Sequence, residues 1–112
     1  MSKHLAVIQK HLQGTPIHAA GEAMGYAVAL TDDELLVGKA KLFGSTVERF
    51  TLAGISDLRT VPNPSANLLQ VEFAGPPPRS LMVMYGPDAR ADFGKIIELL
   101  RQRLRARPGA GS

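Results

Sequence analysis

The feature that most constrains the fold is an apolar stripe close to the end of the chain. Five large apolar side chains recur at the spacing of one face of an α-helix: Phe93, Ile96, Ile97, Leu100 and Leu104. Pro108 ends the predicted helix, because proline lacks the backbone N–H that would continue it. A stripe of this kind is stabilised mainly by packing, so the rest of the chain must provide a complementary apolar surface.

The middle of the chain shows the alternating pattern of β-strands. Large and small side chains alternate from Glu22 to Leu30, and this alternation predicts a single first strand. In all, the sequence predicts about six strands, at residues 22–30, 35–43, 46–52, 55–61, 69–73 and 79–85. Asp, Gly and Pro residues that favour turns separate them. The last strand is apolar on both faces and is therefore expected to be covered on both sides.

A short amphipathic helix is predicted at the start of the chain, over residues 2–13. Leu5, Ile8 and Leu12 lie on one face of this helix, and Pro16 forbids its continuation. A helix of this length is marginal by itself in water. Its apolar stripe must therefore dock on the rest of the domain or on a partner.

The length and composition of the chain fit one small globular domain. Of its 112 residues, 45% are hydrophobic, which is typical of a folded protein. We assign residues 1–16 to the N-terminal helix, 17–107 to the body of the domain and 108–112 to a disordered tail. The absence of cysteine excludes disulfides, a thiolate nucleophile and a thiolate metal site. No apolar run approaches the ~20 residues of a membrane-spanning helix, so we expect a cytoplasmic protein.

The sequence predicts no set of catalytic residues and no cofactor or metal site. The three histidines, His4, His11 and His18, are spaced by seven residues. On a helix this spacing separates the first two by about 10 Å, too far for one metal ion whose ligands lie about 2 Å away. The acidic segment 32–34 is interpreted as a solvated turn. Phosphate-binding glycine loops and nucleophile-elbow motifs are absent, which favours a protein that is not an enzyme.

The order of elements resembles a known family. Five short segments carry the resemblance: Gly21-Glu22, Ala29-Leu30-Thr31-Asp32, Leu35-Leu36-Val37-Gly38, Phe50-Thr51-Leu52 and Ile55-Ser56-Asp57-Leu58. With them, the chain from Ile17 to Leu104 resembles the bacterial pleckstrin-homology domains of the YokE type. The resemblance implies a bent antiparallel sheet or open barrel that is closed by the long C-terminal helix. The family often has an Arg where this chain has Glu34, so a ligand role tied to that Arg is not expected here.

Basic residues at two places are candidates for binding anions. Residues 95–107 contain five basic residues against Glu98, a charge of +4, whereas the whole chain carries +3. The helix dipole alone favours arginines at a helix C-terminus. Lipid-binding members of the wider pleckstrin-homology superfamily use basic residues of the first hairpin, which implies a similar role for this chain's hairpin residues. The candidates are Lys39, Lys41, Arg49, Arg101, Arg103 and Arg105.

Apolar residues that a small barrel need not cover are candidates for an interface. They are Leu5, Ile8 and Leu12 of the first helix and Met82 and Met84 of the last strand. Exposed apolar surface usually marks an interaction site, and Met adapts to varied partners. We therefore expect an α+β, mainly β, binding or assembly module that contacts proteins, including copies of itself. The alternative hypothesis is a phosphate-binding module for anionic lipid or nucleic acid.

Overall fold

Two helices and two antiparallel sheets make up the protein. A computed structural model describes residues 3–106, so the predicted helix end at Pro108 and the predicted tail lie outside the described residues. The elements are α1 (Lys3–Leu12), β1 (Ala19–Ala23), β2 (Tyr26–Leu30), β3 (Glu34–Ala40), β4 (Ser45–Thr51), β5 (Ile55–Val61), β6 (Asn67–Phe73), β7 (Arg79–Tyr85) and α2 (Arg90–Ala106). The predicted α+β class is confirmed, with a short N-terminal helix and a long C-terminal one.

The strands form two sheets, and within each sheet the strands that follow one another along the chain are paired. One sheet has the order β1-β2-β3-β4 and the other β5-β6-β7, and neither closes on itself. At one corner of the molecule, the β1–β2 hairpin of the first sheet is hydrogen-bonded to β7 of the second sheet. The Tyr26 hydroxyl donates to the Met82 carbonyl and accepts from the Met84 N–H, each at 3.3 Å. The Met24 N–H donates to the Met84 carbonyl at 3.0 Å.

The main core lies between the two sheets and α2. The predicted stripe of α2 faces inward, with Phe93, Ile96 and Leu100 fully buried. The ring of Phe93 stacks on Tyr85 with centroids 4.3 Å apart. Gly21 makes this packing possible, since a Cβ there would lie 2.7 Å from a Phe93 ring carbon. The predicted apolar stripe of α2 therefore packs on both sheets in one core.

A second, smaller core lies on the outer face of the first sheet. Ile8 and Leu12 of α1 are buried there against Ala27, Ala29 and Leu36. A further contact fixes the start of the helix, because His4 Nδ1 accepts a hydrogen bond of 2.9 Å from the N–H of Ala40. Of the two docking possibilities for α1, the structure supports packing on the domain itself.

The prediction of a single strand at residues 22–30 is wrong. The segment forms a hairpin in which Ala23 pairs with Tyr26, and Met24 and Gly25 make a two-residue loop. Gly25 has φ +90°, a conformation that glycine adopts without steric cost. The alternation of large and small residues continues through the loop, so the pattern alone resembles one strand.

Two further predictions about strands are corrected. The strand predicted at 35–43 ends at Ala40, because residues 41–44 form the hairpin turn in which the Lys41 N–H donates to the Gly44 carbonyl at 3.0 Å. The strand at 79–85 is covered on one side only: Val83 and Tyr85 are buried, whereas Met82 and Met84 are exposed. It lies at the edge of its sheet, and no element covers its outer face among residues 3–106.

Candidate functional site

The hairpin tip, residues 41–44 between β3 and β4, carries the most exposed apolar side chains of the described part of the chain. Leu42 and Phe43 are each 90% exposed. Lys39 and Lys41 beside them are also exposed, and residues 39–47 contain no acidic residue. The bond from Ala40 to His4 places the start of α1, with the exposed Lys3, next to this hairpin. The tip therefore combines apolar and positively charged groups.

The sequence predicts that Arg49 binds anions together with these lysines, but in the structure its guanidinium pairs with Glu34. It donates to both carboxylate oxygens of Glu34, with Nε 2.8 Å from Oε2. This bidentate bond lowers the pKa of Glu34 and raises the pKa of Arg49. The pairing lies toward the end of the hairpin opposite the tip, since Glu34 is in register with Thr51 and Lys39 with Thr46. The prediction that Arg49 belongs to an anion site with Lys39 and Lys41 is therefore not supported.

The arginines of α2 are divided between two sides of the helix. Arg103 bonds the Asp32 carbonyl and lies 3.7 Å from the Asp33 carboxylate, so it holds the helix against the β2–β3 turn. Arg101 and Arg105 instead line a cleft on another side. The six predicted anion-binding residues thus occupy separate places and do not form one site.

The histidines also lie apart from one another. His4 accepts from Ala40, and His18 Nε2 lies 2.5 Å from Asp32 Oδ1. His11 is exposed on α1. Within residues 3–106 no three His, Asp or Glu side chains come together in a geometry that could hold a metal ion.

The predicted interface residues separate into a buried set and an exposed set. Ile8 and Leu12 are buried against the protein's own sheet, and Leu5 packs beside them. Ile8 and Leu12 are therefore covered by the protein itself, and their predicted contact with a partner is not supported by this packing. Met82 and Met84 remain exposed, by 58% and 49%.

These two methionines belong to a larger apolar surface on the outside of the second sheet. Val61, Leu68 and Met84 lie directly opposite one another on β5, β6 and β7. Met82 follows in the next row, beside Gln70 and Arg59. Met24 extends the surface across the corner, through its backbone bond to Met84. We call the surface formed by Met24, Val61, Leu68, Met82 and Met84 the methionine face.

A cleft of about 580 Å³ lies between α2 and one end of the second sheet. We call it the helix cleft. Its lining includes Arg101 and Arg105, the acidic Glu98, and apolar side chains on both walls. Asn67 of β6 also lines it and is only 8% exposed. The Asn67 Nδ2 is buried and has no hydrogen-bond partner in the described part of the chain.

Comparison with known proteins gives no relative. No protein-family model, no curated protein and no solved structure matches the chain. No helix of residues 3–106 is both long enough and apolar enough to cross a membrane.

Sequence patterns did not indicate the tip or the buried amide. The alternation of residues 35–43 includes Leu42 in the predicted strand, although Gly44 two positions later is a signal for a turn. Asn67 begins β6 after a loop rich in Pro and Asn, where a polar residue is usually exposed.

Proposed function

We propose that this protein is a non-enzymatic binding module of pleckstrin-homology-like architecture, which acts in the cytoplasm by contacting other proteins, including copies of itself. The order of a four-stranded sheet, a three-stranded sheet and a closing C-terminal helix supports this architecture. The observation that carries the protein contact is the methionine face, where Met24, Val61, Met82 and Met84 are each about half exposed.

The arrangement of the methionine face favours association between two copies. Its apolar row of Val61, Leu68 and Met84 crosses all three strands, so a two-fold axis through this row places apolar side chains on apolar side chains. The far end of the face is polar, with Asp57 and Glu72 opposite each other. A stable interface buries about 800 Å² per partner, and a three-stranded face is smaller. The dimer is therefore expected to be weak and to depend on concentration.

Sedimentation velocity from low to high micromolar concentration tests this proposal. The wild-type protein is expected to shift from monomer toward dimer as its concentration rises. Met84→Lys places a charge in the apolar row and should leave the protein monomeric. Ser80→Lys is the matched control, because it adds the same charge to the same face of β7 at its polar end. A wild-type monomer at every concentration, or equal effects of both variants, would contradict self-association.

The hairpin tip favours a second function, docking on an anionic membrane surface. Leu42 and Phe43 protrude together and are flanked by Lys39 and Lys41. Apolar side chains enter the boundary of a bilayer, while lysines attract its anionic headgroups. Within the alternative hypothesis, this combination favours lipid over nucleic acid. The lysines of the tip carry this function without Arg49, which is paired with Glu34.

Co-sedimentation with lipid vesicles tests the second function. The protein is expected to bind vesicles that contain phosphatidylglycerol, to ignore pure phosphatidylcholine, and to bind less as salt rises. Leu42→Ser with Phe43→Ser should abolish binding, and Lys39→Gln with Lys41→Gln should weaken it. Met82→Ser, which removes an exposed apolar side chain elsewhere, is the control. If anionic vesicles capture no protein at low salt, the tip has no such function.

A further inference from the structure

The helix cleft shares Val61 and Leu68 with the methionine face, but its charged and polar residues have no role in either function proposed above. It nevertheless has the features of a ligand site. It lies between α2 and the strand ends of the second sheet, away from the hairpin tip of the first sheet. Its volume of about 580 Å³ falls within the ~300–1,000 Å³ of small-molecule sites. We propose that it binds a small carboxylic acid with an apolar chain.

The charge of the cleft favours a single negative charge on the ligand. Arg101 and Arg105 are four residues apart on α2 and both line the cleft. Neither forms an ion pair with another residue in the range 3–106. Glu98 also lines the cleft, so its titratable side chains carry a net charge of +1. A monovalent carboxylate balances this charge, and two guanidinium groups suit its planar oxygens.

The buried amide of Asn67 provides a second, independent indication. Buried polar groups are nearly always hydrogen-bonded, and a buried donor without a partner costs about 1–3 kcal/mol. Asn67 Nδ2 is such a donor among the described residues, and Asn67 lines this cleft as well as a neighbouring cavity beside Arg90. Rotation about the last side-chain bond of Asn is soft, so the amide can present Nδ2 to a ligand. A carboxylate oxygen is the acceptor that it lacks.

The remaining walls of the cleft fit an apolar chain. Pro62 and Ile97 contribute aliphatic surface, and Tyr85 contributes part of an aromatic ring. Val61 and Leu68 also line the cleft, although their side chains belong to the methionine face. Gly94 adds no side chain, and a Cβ built there would meet nothing within 4 Å. The cleft is thus open beside Gly94 and apolar next to its charged region. A charged region next to an apolar one fits an acid whose carboxylate binds the two arginines and whose apolar chain lies along the sheet.

NMR titration of the whole protein with octanoate tests the proposal. Octanoate is expected to shift the amide signals of Asn67, Ile97 and Arg101. Octanol, which lacks the charge, and acetate, which lacks the chain, should each bind more weakly. Arg101→Gln with Arg105→Gln should weaken octanoate binding about tenfold or more, as expected for loss of charged hydrogen bonds. Arg103→Gln is the matched control, because Arg103 contacts the β2–β3 turn and does not line this cleft.

A variant that fills the cleft provides the complementary test. Gly94→Leu extends a side chain from a position where a Cβ meets nothing within 4 Å, so the protein should fold, as circular dichroism can verify, and lose octanoate binding. Shifts centred on the hairpin tip or the methionine face would show unspecific binding of an amphiphile and overturn the proposal. Equal affinity for octanol and octanoate would overturn it as well, as would full binding by the double arginine variant.

Discussion

The pair formed by Glu34 and Arg49 gives the stability of the protein a defined dependence on pH. The hydrogen bond from Arg49 lowers the pKa of Glu34 below its ordinary value of 4.5. A lowered carboxyl pKa stabilises the fold above the ordinary value, and this contribution is lost as the pH falls through the lowered pKa. Arg49 and Glu34 are 44% and 25% exposed, so solvent screening limits the contribution to about 0.5–1 kcal/mol.

Glu34→Gln tests this dependence. At neutral pH the variant is expected to be less stable than the wild type by that amount, in chemical denaturation followed by circular dichroism. The difference should shrink below pH 4.5, because acid protonates Glu34 in the wild type and removes the same interaction. A difference that stays constant down to strongly acidic pH would show that the ion pair is not its cause.

Gly38 is the residue on which the docking of α1 depends most directly. A Cβ at this position would overlap Cγ1 of Ile8 and lie 3.2 Å from the His4 carbonyl oxygen. Gly38→Ala is therefore expected to destabilise the protein by about 1–3 kcal/mol through overpacking. Gly86→Ala is the control, since its Cβ meets nothing within 4 Å and it should be nearly neutral. Ile8→Ala removes the overlapping Cγ1, so adding Gly38→Ala to an Ile8→Ala protein should cost less than adding it to the wild type. No effect of Gly38→Ala on the wild type would contradict this packing.

At the level of elements, α2 contains a glycine, Gly94, whose replacement by alanine is expected to stabilise the helix. Gly94 lies within the helix, and added side-chain atoms would meet open space. Gly94→Ala is expected to stabilise the protein by about 1 kcal/mol, because alanine restricts the unfolded chain and favours the helix. Calorimetry should show a rise of about 4–8 °C in Tm. Gly44→Ala also meets open space but has φ +87°, so it should lower Tm instead.

Elements were predictable from the sequence where apolar residues recur at the spacing of the one face that is buried. In α2, Phe93 to Leu100 follow the helical period, and β6 alternates buried and half-buried residues throughout. The β1–β2 hairpin was not predicted, because only Gly25 marks its loop and alternation continues on both sides. Parts of the candidate sites escaped prediction for a different reason. Arg49 pairs with a residue 15 positions away and Arg103 with one 71 positions away, and local patterns do not report such contacts.

At the level of the whole molecule, the two separate hydrophobic clusters indicate that the protein has two units of stability. The main cluster contains residues of both sheets and α2, whereas the smaller one joins α1 to the outer face of the first sheet. The residues of the first cluster therefore remain covered when α1 leaves. Within the smaller cluster, Ile8 is the fully buried side chain that α1 contributes. Opening of α1 is expected to cost less free energy than unfolding of the sheets.

Hydrogen exchange with Ile8→Asp tests this division. A charge at this buried position should detach α1, since an unpaired carboxylate is costly to bury. The amides of α1 should then lose protection, while those of β6, such as Val71, stay protected. Ala6→Asp adds the same charge on an exposed position of α1 and should leave protection intact. Loss of protection throughout the Ile8→Asp protein would show one cooperative unit, because the sheets and α2 would then need α1 to remain folded.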